Sequence, residues 1–212
     1  MRVAIIGVGN VGKALGTATI AAGHSVVLAV SDPAHAAAAA ESVGATAAAS
    51  NTEAVQGADL VVLAVPGSAV RAVATEIADA VGSGVVVDST NPLNATYTDL
   101  DIEGVSGAAD LQALLPSAKV VKAFNTVFAS RYAAPTENGE AVDLCIAGDH
   151  ADAKSSVAEL GASLGFRPLD VGGLRMARSL EELAFLNITL NAGNGWVWQT
   201  AWRLVGPTTT GQ

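Results

Sequence analysis

Two short apolar runs end on small polar groups, Ser89-Thr90-Asn91-Pro92-Leu93 and Phe124-Asn125-Thr126. Hydroxyls and amides orient a ligand by hydrogen bonds, yet they neither take nor give a proton near neutral pH. A third stretch, Gly7-Val8-Gly9-Asn10-Val11-Gly12, follows the β-branched run Arg2 to Ile6 and opens a segment with helical spacing. This is the G-x-G-x-x-G setting of a dinucleotide site. Gly7 permits the tight turn, Gly9 lets the backbone approach a pyrophosphate, and Gly12 allows close strand–helix packing. The helix start, with Asn10 and Val11, presents unpaired N–H groups to the anion.

Proton transfer has few candidates. His24 lies at the base of the second strand, His35 in a helix and His150 at a helix start, all expected as surface or capping groups. Asp88 and Lys122 are the only titrating neighbours of the strand ends, and Lys122 is expected to snorkel or to pair with a carboxylate. No catalytic acid, base or nucleophile is assigned. In an open parallel sheet, ligands lie beyond the carboxyl ends of the strands. Val65, Pro66, Thr90, Asn91, Pro92 and Asn125 therefore share one crevice with the glycine loop, as a positioning platform. Such a crevice suits direct hydride transfer between two bound carriers, with the protein supplying distance and orientation.

The elements that must position these groups alternate from the first residue. Further strands are expected at Ser25–Val30, Asp59–Val65, Gly84–Val87, Ala118–Ala123 and Val142–Ala147, with helices at Val11–Ala22, Pro33–Val43, Ser68–Val81, Ala108–Leu115 and Ala151–Leu164. Apolar strands alternating with helices imply βαβ units and a doubly wound, mostly parallel α/β sheet covered on both faces. From Gly172-Gly173 the pattern becomes helical, to Leu204, with an interruption at Asn191–Gly195. This divides the chain into a dinucleotide-binding part, 1–172, and a C-terminal helical segment, 173–212. Trp198 and Trp202, spaced i and i+4, are expected on one helix face, in a core or dimer interface or stacked on a ring.

The 212 residues carry a formal charge of −9, half of them hydrophobic, which argues against binding nucleic acid by electrostatics. The lone cysteine, Cys145, permits no internal disulfide and reads as core. No secretory h-region or membrane span is evident, so a soluble, cytoplasmic protein is expected.

Which dinucleotide is bound turns on the end of the second strand, Val30-Ser31-Asp32-Pro33. Asp32 follows Gly12 at the distance where an NAD site places a carboxylate on the adenosine ribose. It could equally cap the helix that Pro33 begins. No Arg or Lys lies between Lys13 and Arg71 to meet a 2′-phosphate. The residues alone favour NAD, or tolerance of both nucleotides.

In combination, GVGNVG, the DSTNPL and VKAFNTVF strand ends, the Ala147-Gly148-Asp149 turn and Arg178-Ser179-Leu180-Glu181-Glu182-Leu183 resemble the F420-dependent NADP oxidoreductase family, nearly end to end. The resemblance implies a Rossmann domain with a small C-terminal helical part, usually in a homodimer. It implies NADP(H) and the deazaflavin coenzyme F420 as cofactors, their rings face to face in the crevice. NADP-using members commonly carry Ser-Arg or paired basic residues where this chain has Val30-Ser31-Asp32; Ser31 can still donate to a phosphate. Arg175 or Arg178 could face the acidic tail of a deazaflavin, or Arg178 could form an ordinary helix pair with Glu182. Two other readings stand beside hydride transfer to F420: a nicotinamide-dependent reductase of a small substrate, and a non-catalytic dinucleotide sensor.

Overall fold

The computed structural model describes residues 1–30, 32–102 and 104–206. Ser31, one of the candidate cofactor contacts, lies outside the described residues. Six strands, β1 (Arg2–Ile6), β2 (Ser25–Ala29), β3 (Thr46–Ala47), β4 (Leu60–Leu63), β5 (Val85–Asp88) and β6 (Lys119–Lys122), alternate with five helices. These are α1 (Asn10–Ala21), α2 (Pro33–Val43), α3 (Asn51–Val55), α4 (Val70–Val81) and α5 (Gly107–Leu114). A small hairpin, β7 (Thr136–Glu137) with β8 (Glu140–Ala141), then leads into β9 (Asp143–Gly148), α6 (Ala151–Ser163), β10 (Arg167–Gly172) and α7 (Ala177–Asn194).

The main sheet has the order β10-β9-β6-β5-β4-β1-β2-β3. β1 pairs in parallel with β2 on one side and β4 on the other, so the strand order reverses beside the glycine loop. β4, and β1 after Arg2, are apolar because both of their faces are covered. Val3 and Ile5 enter the core with Leu15, Val157 and Leu160 of α1 and α6. Ala4 and Ile6 enter the opposite core with Ile77 and Leu111 of α4 and α5. The alternation is the period of two of a pleated strand.

The sheet is mostly parallel, as expected: the strand at Val142–Ala147 forms as β9 and pairs antiparallel with β6 (Val121↔Gly148, Lys122↔Ala147). β10 then pairs parallel to β9. Its sequence, Arg-Pro-Leu-Asp-Val-Gly, reads poorly as a strand because it is an edge strand, partly exposed along its length. The C-terminal helix ends at Asn194, where Gly195 adopts a left-handed conformation (φ 66°, ψ 30°) and closes it. Residues 196–206 are an irregular strap, so Trp198 and Trp202 share no helix face. Trp202 instead donates from Nε1 to the Leu183 carbonyl (3.2 Å), and its own carbonyl accepts from the Asp143 amide (3.2 Å), tying the strap to β9.

Candidate functional site

The glycine loop has the shape its sequence requires. Gly7 has φ +113°, and a Cβ built there would meet the Ala64 carbonyl oxygen at 2.2 Å. A Cβ at Gly12 would lie 1.9 Å from the Gly7 carbonyl, so neither position accepts a side chain. At Gly9 a Cβ would find nothing within 4 Å, leaving open space above the backbone. Gly9 is the N-cap of α1, with no side-chain cap and no acidic residue in the first turn. Free amides, helix dipole and open space together fit a dinucleotide phosphate.

Beyond β2, the Asp32 side chain accepts from the Ala34 amide (2.9 Å) and its second oxygen lies 3.3 Å from His35 Nδ1. It is the N-cap of α2, as one of its two sequence readings required. Its side chain remains 53% exposed, so a carboxylate charge stands at this edge of the crevice.

The second and third strand ends meet across the crevice. β6 stops because Phe124 takes a left-handed backbone (φ 66°), a conformation costing on the order of 1 kcal/mol in a non-glycine residue. The Phe124 ring, 1% exposed, packs against Tyr132 with centroids 6.2 Å apart and anchors the turn. The reversal brings Asn125 against Asn91. Asn91 Nδ2 donates to the Asn125 carbonyl (3.0 Å), and Asn125 Nδ2 donates to both Asn91 Oδ1 and the Leu180 carbonyl of α7 (each 3.0 Å). Gly67 brings the β4 loop close to this pair, since a Cβ there would stand 3.1 Å from the Asn91 carbonyl.

A cavity of about 800 Å³ opens here, with Asn10, Val11, Asn91 and Asn125 on its wall beside Tyr97, Phe128, Asn187 and Trp198. An adjoining hollow of about 440 Å³ is lined by Val65, Pro66, Asn91 and Pro92. Asn91, Leu93 and Tyr97 line both. Thr90 is turned away: its amide and hydroxyl donate to Asp88 Oδ1 (2.9 and 2.7 Å), and with Pro92 it lines a separate depression toward α5. Among the described residues, Tyr97 is the only titratable side chain on the wall of this 800 Å³ cavity.

Lys122 pairs with carboxylates, as its sequence position suggested, but at full burial. Its ammonium reaches Asp88 Oδ2 (2.9 Å), Glu181 Oε1 (2.9 Å) and the Thr90 carbonyl (2.7 Å), with every side chain of the triad at most 1% exposed. Glu181 also accepts from the Gly107 and Ala108 amides at the start of α5 (3.2 and 3.3 Å). The triad therefore locks β5, β6, α5 and α7 together behind the crevice, and Lys122 is not available to a ligand. Sequence reading missed Glu181, Asn187 and Asn191. Their signal was present: with Ala177, Leu180 and Ala184 they occupy the helical stripe of α7 that is buried. Polar residues on such a stripe are costly unless paired.

Arg178 pairs with Glu182 at 2.8 Å on the exposed face of α7. His35 and His150 are exposed, and His24, half-buried, contacts the N-terminal amine and Ser163. Burial, reinforced by Asp143, raises the Cys145 thiol above its ordinary pKa, and burial alone raises Tyr132. Among the described residues no cluster of His, Cys, Asp or Glu could hold a metal ion, and no helix is long and apolar enough to cross a membrane.

A Rossmann sheet, a phosphate-ready glycine loop and an uncharged cavity at the strand ends define a nicotinamide-dinucleotide reductase. Residues 2–92 match the family described as NADP oxidoreductase, coenzyme F420-dependent. Over 211 residues the chain is 32% identical to the F420-dependent NADP reductase of Methanothermobacter thermautotrophicus, covering 92% of this chain and 90% of that one. The chain belongs to the F420-dependent NADP oxidoreductase family, whose members are NAD(P)-dependent oxidoreductases. A crystal structure of a candidate F420-dependent NADP-reductase from Arthrobacter sp. FB24 superposes with a TM-score of 0.87 at 28% identity, covering 97% of this chain and all of that one. Metalloreductase STEAP3 of Rattus norvegicus is 31% identical over 183 residues, 86% of this chain but 36% of that protein. The chain thus spans about a third of STEAP3 and nearly the whole of the archaeal reductase.

Proposed function

We propose that this protein transfers a hydride between a nicotinamide dinucleotide and coenzyme F420 or a flavin-like ring. The observation that carries the reading is the 800 Å³ cavity, whose wall, among the described residues, includes amides, hydroxyls and aromatic rings but, apart from the Tyr97 phenol, no titratable side chain. Reduction of a small carbonyl or imine needs a positioned acid for the oxygen or nitrogen. Hydride exchange between two carriers needs chiefly distance and orientation. The cofactors supply the redox chemistry when bound.

The chain's own residues divide the work. Gly7, Gly9 and Gly12 with the first-turn amides of Asn10 and Val11 hold the pyrophosphate. Val65, Pro66 and Pro92 flank the nicotinamide end, while Asn91 and Asn125, braced on each other and on α7, fix the floor. Thr90 acts from behind, by holding Asp88. In this reading residues 1–172 carry the dinucleotide, the segment from 173 completes the second ring site, and two copies associate as a homodimer. NADP is the nucleotide the family name implies, with NAD favoured by the charge of Asp32.

Anaerobic mixing with F420 and NADPH, or F420 and NADH, tests the reading through the visible absorbance of the deazaflavin. Bleaching with either nucleotide is expected. Tight nucleotide binding with no bleaching of F420 and no reduction of FMN would refute it.

A further inference from the structure

Asn125 and Asn187 both stand on the wall of the large cavity, and both are nearly sealed from solvent, at 6% and 4% exposure. Each leaves one amide atom without a partner: Oδ1 of Asn125 and Nδ2 of Asn187. The hydrogen-bond network fixes which atom is left over. Asn125 must present its NH₂ to the Leu180 carbonyl, because a carbonyl oxygen only accepts, and Oδ1 is then free. Asn191 Nδ2 donates to the Asn187 carbonyl (2.8 Å), which identifies it as a donor. The same Nδ2 meets the side chain of Asn187 at 3.1 Å, so that atom of Asn187 is the acceptor Oδ1. Thr200 also donates to this Oδ1 (2.7 Å), leaving the Asn187 NH₂ unused.

One buried acceptor and one buried donor therefore remain unpaired on two residues that line a single cavity, each carrying the desolvation cost of an unmade hydrogen bond. A ligand edge with an N–H beside a C=O satisfies both. Resting on the function proposed above, the geometry points to Asn125 and Asn187 as the pair that reads the imide edge of the second ring: Oδ1 of Asn125 accepts from the imide N–H, and Nδ2 of Asn187 donates to the neighbouring carbonyl. Flavins and deazaflavins share this edge. The nicotinamide carboxamide offers similar groups, and Asn10 and Val11 of the glycine loop line this cavity too; Asn187 stands on its α7 wall beside Ile188 and Trp198, and the nucleotide arms of the titration below separate the two rings.

Asn187→Asp is the discriminating variant, because it keeps an acceptor toward Asn191 and Thr200 and replaces the free donor with a carboxylate oxygen. Calorimetric titrations of wild type and N187D with F420, FMN, NADPH and NADH are compared, with the thermal midpoint of each protein recorded. The expected result is a loss of about tenfold or more in affinity for the ring that wild type binds, with nucleotide affinity near wild type and a thermal midpoint lowered by the buried carboxylate. An arm free of any folding effect uses wild type and FMN methylated at the imide nitrogen, expected to bind at least about tenfold more weakly than FMN where FMN itself binds. Equal ring affinity in wild type and N187D overturns the pairing while leaving the hydride-transfer reading intact. A loss confined to NADPH and NADH also overturns it, assigning the pair to the carboxamide. Wild type that binds nucleotide but neither F420 nor FMN removes the second ring, and with it both the pairing and the function.

Discussion

Replacing Lys122 by methionine preserves the length of the side chain and removes the one cation of the buried triad. In the native protein its three protons meet three acceptors, Asp88 Oδ2, Glu181 Oε1 and the Thr90 carbonyl, at 2.7–2.9 Å. The second negative charge is spread over the Gly107 and Ala108 amides on Glu181 and the Thr90 amide and hydroxyl on Asp88. Without the ammonium, two carboxylates at most 1% exposed stay buried and uncompensated. Breaking a buried pair from one side costs about 3–5 kcal/mol. With an m-value of about 2 kcal/mol/M, the urea midpoint should fall by about 2 M, followed by tryptophan fluorescence and far-UV circular dichroism together. Because Lys122 and Glu181 are in contact, Lys122→Met with Glu181→Gln should cost less than the sum of the single variants, by about 1 kcal/mol or more. A Lys122→Met protein within about 1 kcal/mol of wild type would refute the account of the triad as a charge-balanced lock.

Asp32→Asn keeps a good capping residue and removes a charge. A carboxylate about 4 Å from a 2′-phosphate costs roughly 1–4 kcal/mol, so NADPH should bind at least about fivefold tighter to the variant while NADH changes little; a loss of NADH affinity would instead assign Asp32 to the ribose. Gly9→Val should fold with a near-native thermal midpoint but lose dinucleotide binding in calorimetry, because its side chain enters open space over the loop. Gly12→Ala should destabilise by about 1–3 kcal/mol, since its Cβ would overlap the Gly7 carbonyl. Burial and Asp143 raise the Cys145 pKa, so its thiolate fraction at pH 8 falls below that of a free thiol, and iodoacetamide should label it slowly until urea unfolds the chain.

The sequence was most legible where one residue type has one physical use. Gly7 and Gly12 are excluded from carrying a side chain by nearby carbonyls, and β4 and β1 after Arg2 are apolar because both faces are covered; each of these constraints is local and appears in the string itself. Strand direction is a different matter. The run Val142–Ala147 reads as a strand whichever way it points, and the hairpin and loops from Ala123 onward decide that β9 turns back against β6. The strap after Gly195 misled for the same reason. Its tryptophans have helical spacing, but Gly195 ends α7, and hydrogen bonds to Leu183 and Asp143, distant in sequence, fix the path.

The site shows the same division. Asn91 and Asn125 could be placed on strand ends from their positions, but their partnership depends on Phe124, whose left-handed backbone no composition or periodicity announces. Phe124 adopts it because its ring is gripped by the core beside Tyr132, so packing holds a strained turn that in turn holds the amides. Glu181 extends the chain of causes. A carboxylate on the buried stripe of α7 is tolerated only because Lys122 and the start of α5 meet it, and meeting it sets where Leu180, Asn187 and Ile188 stand over the crevice. The polar residues that look out of place on an apolar stripe are thus those that hold the second wall of the cavity in register with the first.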